Sequence, residues 1–274
     1  MREKIRVLHI SPDGKLYGTE RHILAIVKHS DRSMFEHTVA VPSHGNFSEE
    51  LQKTGIRTVT AGRVHGYKGK FEGIFGEGAR RLFSFIKEEK FDIVHTHLNS
   101  FGGFIGKLAG AGSLVHTRHG VFWSEEELKE ISFFDKTFQK LKSGIFDLTI
   151  AIGDYEKKTL VEIFGYDPGK VRTTINGVNA SAIRKSVENS PGKKELFGTD
   201  LLIAGAVGRL ERQKGFHHLI EAASGMDLNA MGLMIIIIGN GSLKNELERM
   251  ISEAGLSNSF KIMDYKQNIL DYVN

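Results

Sequence analysis

The chain has 274 residues, 40% of them hydrophobic, and a formal net charge of +4, a size that suits two domains with separate cores. It contains no cysteine, which excludes disulfides, thiolate metal sites and a thiol nucleophile, and the small net charge argues against a nucleic-acid surface. No apolar run approaches the roughly 20 residues of a transmembrane helix and no signal peptide is recognisable, so we expect a cytoplasmic protein.

Short β-rich runs alternate with helical patterns from end to end, which is typical of α/β folds with doubly wound parallel sheets. We predict a Rossmann-like first domain at 1–175, a polar linker at 176–198 and a second Rossmann-like domain at 199–274. The predicted strands span 5–10, 37–41, 58–60, 93–96, 114–117, 148–151 and 171–175, and three more begin at Leu201, Leu233 and Phe260. Since sheets of this class have about five strands and only three precede the last helical pattern at 268–273, we expect an incomplete second domain and a truncated chain.

The first predicted loop, 11–21, lies at the carboxyl end of a strand, where ligands bind in open α/β sheets. Gly18 would let a backbone N–H approach a ligand closely, and Thr19 or Glu20 would begin the next helix. A plain helix cap is the alternative interpretation of Thr19. The G-x-G-x-x-G pattern of dinucleotide sites is absent.

Ten of the twelve histidines precede residue 120, and His95, His97, His116 and His119 fall at the ends of two successive strands. A metal site is one interpretation of such pairs, but no Asp, Glu or other fourth ligand accompanies them, so we predict no metal. Buried, hydrogen-bonded side chains are the simplest interpretation of His95 and His116. His119 precedes a glycine after its strand, so we expect it to face the crevice and to exchange a proton or contact a sugar hydroxyl.

Phenylalanines cluster in two places, and core or interdomain packing is their usual role. Basic residues near them leave a weak peripheral contact with a membrane surface as the alternative. The residues concerned are Phe75, Phe83, Phe85, Phe133, Phe134 and Phe138, with Lys68, Lys70, Arg80 and Arg81.

The segment from Gly208 to Gly215 places two cations, Arg209 and Lys214, at a predicted strand-to-helix turn. Unpaired N–H groups and the positive end of the helix dipole favour an anion there. Arg209 can add a forked pair of hydrogen bonds, and Lys214 adds a point charge. The pattern predicts a pyrophosphate site, whereas the alternative is an ordinary solvated loop.

A second turn of this kind, Gly239-Asn240-Gly241-Ser242, follows an apolar run. Its small residues would admit a flat ring or a phosphate, although a tight turn with Ser242 as the helix cap explains them nearly as well. The candidate donor-binding residues are therefore Gly208, Arg209, Lys214, Gly239, Asn240 and Gly241.

Six segments, taken in order, resemble the retaining glycosyltransferases of family 4, which have the GT-B fold of two facing Rossmann-like domains. They are G-T-E-R-H at 18–22, D-I-V-H-T-H at 92–97, T-R-H-G at 117–120, I-N-G-V at 175–178, V-G-R-L-E-R-Q-K-G at 207–215 and G-N-G at 239–241.

The resemblance implies a nucleotide-diphosphate sugar, for which we favour UDP, with Arg209 and Lys214 on its diphosphate. It implies that His119 is the catalytic residue, in contact with the donor sugar or a phosphate. It also implies that neither a cofactor nor a metal nor a protein nucleophile is needed. A loop facing the acceptor and the donor phosphate would comprise Gly18, Thr19, Glu20 and Asn176.

The chain departs from the family pattern in three places. The usual Gly-Gly of the first loop is Tyr17-Gly18, and the usual Gly-Asp-Gly-Pro is Gly239-Asn240-Gly241-Ser242. The E-x7-E motif of the family would lie beyond Asn274, so we expect weak or no transfer by this chain.

We predict a retaining glycosyltransferase that moves a hexose-type unit from a nucleotide-diphosphate sugar to a glycan, glycolipid or small acceptor in cell-surface polysaccharide synthesis. One alternative is a nucleotide-sugar 2-epimerase of the same fold. It would need carboxylates placed for elimination, whereas the run 125–127 is typical of a solvated helix start. The other alternative is a non-catalytic fragment that binds a nucleotide sugar. An exposed sheet edge would allow a homodimer.

Overall fold

The structure, a computed structural model, describes residues 3–62, 76–121, 123–266 and 268–272. The chain divides into two compact units, Met1–Val178 and Asn179–Asn274. This division falls within the stretch 176–198 that we predicted to be a linker. Much of that stretch is helical, since Ala180–Glu188 and Lys193–Phe197 are helices of the second unit.

A parallel sheet of seven strands forms the centre of the first unit. The strands are β1 (Ile5–Ile10), β2 (Phe35–Val41), β3 (Arg57–Thr60), β4 (Ile93–His97), β5 (Ser113–Arg118), β6 (Leu148–Ala151) and β7 (Val171–Thr173). All seven predicted strands are present, with ends that differ by two residues at most. Their order is β3-β2-β1-β4-β5-β6-β7, so the winding direction changes between β1 and β4, and a crevice opens at their carboxyl ends.

Helices flank this sheet, and alternate strand residues point to opposite faces. Leu8, Ile10 and Val94 share one core with α3 (Glu77–Glu89) and α4 (Phe101–Leu108). Val39 and Val41 share another with α1 (Gly18–His29) and α2 (Asn46–Lys53). The histidines of β1, β2 and β4 lie on the same face as Val39 and Val41. Further helices of this unit are α5 (Glu125–Glu130), α6 (Phe133–Ser143) and α7 (Asp154–Lys158), which continues into a π-helical turn at Thr159–Ile163.

The second unit has three parallel strands in its described part, namely β8 (Leu202–Val207), β9 (Leu233–Ile238) and β10 (Phe260–Met263). Their order is β10-β9-β8. The helices of this part are α8 (Ala180–Glu188), α9 (Lys193–Phe197), α10 (Phe216–Ser224) and α11 (Lys244–Glu253). The middle strand β9 is buried on both faces. Ile235 and Ile237 pack against α10 and α11, and Ile236 and Ile238 pack in a smaller cluster on the other face.

The helical pattern at 268–273 was predicted wrongly, because Ile269–Tyr272 forms a single 3₁₀ turn. Ile269 and Tyr272 both pack against the small cluster around Ile236. In a 3₁₀ turn, side chains three residues apart lie on the same side, so this geometry brings both to the sheet. Val273 lies outside the described residues.

Candidate functional site

Histidines form a layer across the first sheet, near the crevice. His9, His95, His97 and His116 are almost fully buried, and His37 is 8% exposed. The register explains how they come together: His9 of β1 pairs with His95 of β4, and Thr96 of β4 pairs with His116 of β5. The prediction that His95 and His116 are buried and hydrogen-bonded is confirmed, since His95 Nε2 lies 2.7 Å from Thr117 Oγ1 and His116 Nδ1 lies 2.9 Å from Thr96 Oγ1.

Three of these rings, together with His119, bond to one another in a row. His97 Nδ1 lies 3.2 Å from His119 Nε2, and His97 Nε2 lies 3.1 Å from His9 Nδ1. His9 Nε2 lies 3.1 Å from His37 Nδ1, and His37 Nε2 lies 2.6 Å from Ser30 Oγ. His119, at the crevice end, is therefore connected through three buried rings to the end of α1.

Burial keeps these rings uncharged at neutral pH, because desolvation penalises the imidazolium. It lowers the pKa of His95 to about 3 and that of His119 to about 4, with a further contribution from the nearby His22 in both cases. Burial also holds the pKa values of His9 and His97 well below the usual range. His119 is therefore a neutral ring at neutral pH, which can donate one hydrogen bond and accept one.

Two groups of three histidines have ligand nitrogens within 4.8 Å of one another: His9, His95 and His97, and His22, His97 and His119. Either group could offer three nitrogens to a cation such as Zn²⁺. No carboxylate joins either group among the described residues. His9 and His97 are also already bonded to each other, so a shared metal would have to replace that bond.

A buried carboxylate fixes the backbone around His119. Glu156, 4% exposed, accepts hydrogen bonds from Gly120 N–H at 2.9 Å and Ile152 N–H at 2.7 Å. Gly120 has a φ of 129°, a conformation that favours glycine. The carboxylate thus ties the turn after β5 to the end of β6, and burial raises its pKa.

The first loop is arranged differently from the prediction. Helix α1 begins at Gly18 with Tyr17 as the N-cap, so Thr19 lies inside the first turn and is not a cap. Glu20 is 1% exposed and accepts hydrogen bonds from Ser11 Oγ–H and Tyr17 N–H, each at 3.2 Å. Burial raises its pKa. Glu20 therefore braces the loop, and Gly18 is exposed, with no atom within 4 Å of an added Cβ.

Asn176 lies beside the histidine layer, although it is far from the first loop in sequence. It is exposed and forms a side-chain hydrogen bond with His22, which raises the pKa of that ring against the larger lowering effect of burial. His22 in turn packs edge-on against His119, with ring centroids 5.0 Å apart. The structure thus connects the predicted loop residue Asn176 to His119 through His22.

The two glycine-containing turns of the second unit contact each other. Gly208 N–H donates to Ile238 O at 3.1 Å, and Leu210 N–H donates to Asn240 O at 3.0 Å. A Cβ on Gly239 would lie 1.8 Å from Gly208 O, and one on Gly241 would lie 2.3 Å from Leu210 O. Both glycines are therefore required by the close approach of the two backbones.

Ser242 does not cap α11, as one interpretation held, because that helix begins at Lys244 with Leu243 as its N-cap. Its Oγ–H instead donates to Glu211 Oε2 at 2.9 Å, and its N–H donates to Glu211 Oε1 at 3.2 Å. Asn240 Oδ1 accepts from Tyr265 N–H at 3.2 Å. These polar side chains hold the two turns together.

The predicted cations flank the start of α10. Arg209 and Lys214 are exposed, and neither forms an ion pair within the described part of the chain. Lys214 lies in a 3₁₀ turn directly before Gly215, whose φ is 67°. The aliphatic part of Lys214 passes over Gly208, with its Cδ 3.7 Å from an ideal Cβ position on that glycine. Both positive charges remain available for an anion at this helix start.

Three site features escaped the sequence analysis. The roles of His9, His37 and Ser30 depend on strand register, which the sequence alone does not reveal. Glu156 lies in a helix and Glu211 in a loop, each without a neighbouring motif, and most carboxylates in such positions are exposed to water. One signal was available, the alternation of side chains along a strand, because His9, His95 and His97 lie on the face opposite Leu8, Ile10 and Val94.

Models of two protein families match successive parts of the chain. The model described as Glycosyltransferase Family 4 matches residues 17–182, and that described as Glycosyl transferases group 1 matches residues 188–274. The chain is 27% identical over 174 residues to UDP-Gal:alpha-D-GlcNAc-diphosphoundecaprenol alpha-1,3-galactosyltransferase of Escherichia coli, covering 61% of this chain and 45% of that protein. It is 28% identical over 260 residues to an uncharacterized glycosyltransferase of Methanocaldococcus jannaschii, covering 87% and 63%. The chain thus spans about half to two thirds of the length of these curated relatives.

Solved structures share the fold. The structure of Anabaena HepE in complex with UDP and glucose has a TM-score of 0.71 at 18% identity, covering 98% of this chain and 71% of that one. UDP-N-acetylglucosamine 2-epimerase from Rickettsia bellii has a TM-score of 0.61 at 14% identity, covering 99% and 71%. The predicted class, two Rossmann-like parallel-sheet domains of the GT-B type, is confirmed. None of the described helices is both long and apolar enough to span a bilayer.

Proposed function

The chain belongs to glycosyltransferase family 4, and we propose that it takes part in retaining transfer of a hexosyl unit from a UDP-type nucleotide sugar to a glycan or lipid-linked acceptor. The observation that carries this proposal is the pair of touching turns in the second unit, which present Arg209 and Lys214 at the start of α10. The relative from Escherichia coli is named for UDP-galactose and a diphosphoundecaprenol-linked acceptor, which supports the donor and acceptor classes.

The chemistry assigned to the second unit is stabilisation of the leaving diphosphate. Negative charge accumulates on that group as the bond between sugar and oxygen breaks, and cations with helix N–H groups placed in advance stabilise it. Arg209 and Lys214 would supply the charge that a divalent metal supplies elsewhere, so we propose a metal-independent reaction without a cofactor. Gly208, Gly239 and Gly241 would let the backbone approach the nucleotide closely, and Asn240 would hold its turn in place.

The role assigned to the first unit is contact with the sugar through His119. A neutral imidazole can donate to or accept from a hydroxyl, and the loop with Gly18, Thr19 and Asn176 would contact the acceptor or a phosphate. Retention would follow from attack by the acceptor hydroxyl on the same face as the leaving group, so no protein nucleophile is assigned. Glu20 and Glu156 each already accept two hydrogen bonds.

Calorimetric titration with UDP, GDP and ADP in the absence of metal tests the diphosphate site. Lys214→Ala should weaken UDP binding by about 10- to 150-fold, the range for one charge-assisted hydrogen bond, and should leave uridine binding unchanged. Lys261→Ala is the matched control, because Lys261 is an exposed lysine on β10 of the same unit. An equal loss of UDP and uridine binding in Lys214→Ala would contradict the assignment.

A 2-epimerase is the second candidate, because the chain shares its fold with such an enzyme. Elimination needs a free carboxylate, whereas Glu127 in the run 125–127 accepts from Ser124 N–H as part of a helix-capping pair. Incubation with a UDP-sugar alone, followed by proton NMR of the sugar, separates the candidates. An altered sugar indicates epimerisation, acceptor-dependent release of UDP indicates transfer, and binding without either indicates a non-catalytic nucleotide-sugar-binding protein.

We also propose a peripheral membrane contact through α6. Four large apolar side chains on it are exposed, namely Phe133 (85%), Phe134 (79%), Phe138 (54%) and Leu141 (70%), and the same helix carries Lys136, Lys140 and Lys142. Apolar and basic residues together suit an anionic lipid surface. In contrast, Phe83 and Phe85 pack against the first core, while Phe75, Lys68 and Lys70 lie outside the described residues.

Flotation with vesicles of phosphatidylcholine and phosphatidylglycerol measures this contact. Phe134→Glu should abolish binding, whereas Tyr155→Glu, at an exposed aromatic residue outside α6, should not. Equal binding by Phe134→Glu and the unaltered chain would contradict the membrane proposal.

A homodimer through the exposed strand β8 is a separate proposal. Leu202 and Val207 on this strand are 69% and 52% exposed. Analytical ultracentrifugation tests it.

A further inference from the structure

A row of hydrogen-bonded imidazoles begins just after β5 and crosses the three adjacent strands β4, β1 and β2 of the first sheet. It runs from His119 through His97, His9 and His37, and it ends at Ser30, which follows α1. At each contact between two rings, the Nδ1 atom of one faces the Nε2 atom of the other, at 3.1 or 3.2 Å. We call these five residues the imidazole row.

This geometry permits only two fully bonded arrangements of protons. A neutral imidazole has one N–H and one bare nitrogen, so all four rings must carry the proton on the same atom. If all are Nδ1–H, Ser30 donates to His37 and His119 presents Nδ1–H to the crevice. If all are Nε2–H, Ser30 accepts from His37 and His119 presents a bare Nδ1. Any mixture would leave two N–H groups or two bare nitrogens facing each other in a buried site, at the cost of a hydrogen bond.

The surroundings support a row of neutral rings that act together. His9 and His97 are 1% and 0% exposed, and burial strengthens hydrogen bonds that polarise one another. A hydroxyl can donate or accept equally well, so Ser30 can terminate either arrangement. Ser30 is half-buried, which gives the row a partly exposed end, separated from His119 by the rings on β4, β1 and β2.

We propose that the imidazole row is a proton relay in which His97, His9, His37 and Ser30 act as positioning residues that set, together, whether His119 Nδ1 donates or accepts. A proton that binds to bare His119 Nδ1 displaces the Nε2 proton of His119 to His97 Nδ1. The Nε2 proton of His97 then moves to His9 Nδ1, and that of His9 moves to His37 Nδ1. The Nε2 proton of His37 moves to Ser30 Oγ, which releases its own hydroxyl proton to water. One proton enters and one leaves, and every ring stays neutral.

This relay rests on the proposed function only for its proton donor, a hydroxyl of the sugar or acceptor. Its test does not need a ligand. In protein labelled with ¹⁵N-histidine, the ¹⁵N shifts and two-bond ¹H–¹⁵N couplings of each ring report which nitrogen carries the proton. We expect His9, His37, His97 and His119 to show one common ratio of the two tautomers. Different ratios in different rings would overturn the relay.

Ser30→Ala removes the far end of the row without altering a buried ring. Without the Ser30 hydroxyl, His37 would keep either an unpaired Nε2–H or a bare Nε2, and an unpaired N–H is less well tolerated than a bare acceptor. The ratio of Nδ1–H to Nε2–H tautomer should therefore rise in all four rings by a common factor of about 2 to 10, the range for one net hydrogen bond. Ser30→Thr keeps the hydroxyl and should restore the original ratio. A change confined to His37 would overturn the relay, since it would show that the rings are not coupled.

His95→Phe and His9→Phe form the matched pair inside the layer. Both residues are buried, and their rings are 5.2 Å apart, but His95 bonds to Thr117 outside the row. His95→Phe should leave the four tautomer ratios unchanged, whereas His9→Phe should make the ratio of His119 insensitive to Ser30→Ala. If His9→Phe fails to fold, Ser30→Ala with Ser30→Thr still decides the matter.

A bound metal would break the imidazole row, because it needs the same bare nitrogens that accept the hydrogen bonds between the rings. Titration with Co²⁺ should produce no stoichiometric absorption band, and Zn²⁺ should leave the tautomer ratios unchanged. A saturable band, with loss of the coupling between His9 and His97, would overturn the relay in favour of a metal site. Loss of UDP binding with intact coupling would count against the proposed function alone.

Discussion

Replacement of Gly239 by alanine tests whether the two turns of the second unit must touch. The new Cβ would lie 1.8 Å from Gly208 O, where real Cβ atoms essentially never come within 3.0 Å, so one backbone would have to move by roughly 1 Å or more. Such a shift would break the bonds from Gly208 N–H to Ile238 O and from Leu210 N–H to Asn240 O. At about 0.5 to 1.5 kcal/mol for each bond, and about 1 to 3 kcal/mol for overpacking, the free energy of unfolding should fall by about 2 to 6 kcal/mol.

That loss is a large part of the stability of a unit of about 100 residues, which is about 5 to 15 kcal/mol. Thermal unfolding followed by circular dichroism should show the transition lowered by at least about 8 °C, and calorimetry should show weaker UDP binding because Arg209 and Lys214 are displaced. Gly205→Ala is the control, since no atom lies within 4 Å of a Cβ there. If both variants unfold at the same temperature and bind UDP equally, the contact between the turns is refuted.

Three further predictions concern polar side chains of the two units. The free energy of unfolding should fall as the pH drops from about 7 to 5, because unfolded histidines titrate near 6.5, whereas burial lowers the pKa of His95 to about 3 and of His119 to about 4. The unfolded chain then binds more protons than the folded one, so the free energy of unfolding falls by up to about 1.4 kcal/mol per pH unit for each ring. Urea midpoints that do not change with pH would contradict this. Glu156→Ala should lower the free energy of unfolding by about 1.5 to 3 kcal/mol for each lost hydrogen bond, to Gly120 and to Ile152, and Glu156→Gln should lower it less. Urea denaturation at pH 7 measures both variants. Equal losses of stability would exclude the hydrogen-bonding role. Glu211→Ala and Ser242→Ala should each weaken UDP binding. The double variant should bind UDP no more weakly than the weaker-binding single variant, because both residues act through one contact. Additive losses of affinity in calorimetry would show that they act separately.

The elements of the fold were predictable because each strand is a short β-rich run between turn residues. Ile5–Ile10 and Leu148–Ala151 were predicted to the residue, since polar or glycine-containing segments bound them on both sides. The contacts of the candidate site were less predictable. The bonds of His9 and His37 arise from register between strands that are distant in sequence, and Ser242 acts through Glu211, 31 residues away. Local patterns carry no information about such pairs, whereas Arg209 and Lys214 could be proposed as an anion site from the sequence because both lie within one turn.

The electrostatics of the two units favour a sugar hydroxyl over a phosphate as the partner of His119. Around His119 the neighbouring rings are neutral, and the nearby Arg118 and Glu156 have opposite signs. To face a charged ring there, a phosphate would have to draw a proton onto His119, whose pKa burial has lowered to about 4. The second unit instead presents Arg209 and Lys214 at a helix start, two exposed positive charges with no ion-pair partner among the described residues. A diphosphate is stabilised by positive charge, and a hydroxyl by a neutral donor and acceptor. We therefore infer that the second unit binds the diphosphate and that His119 contacts a sugar hydroxyl.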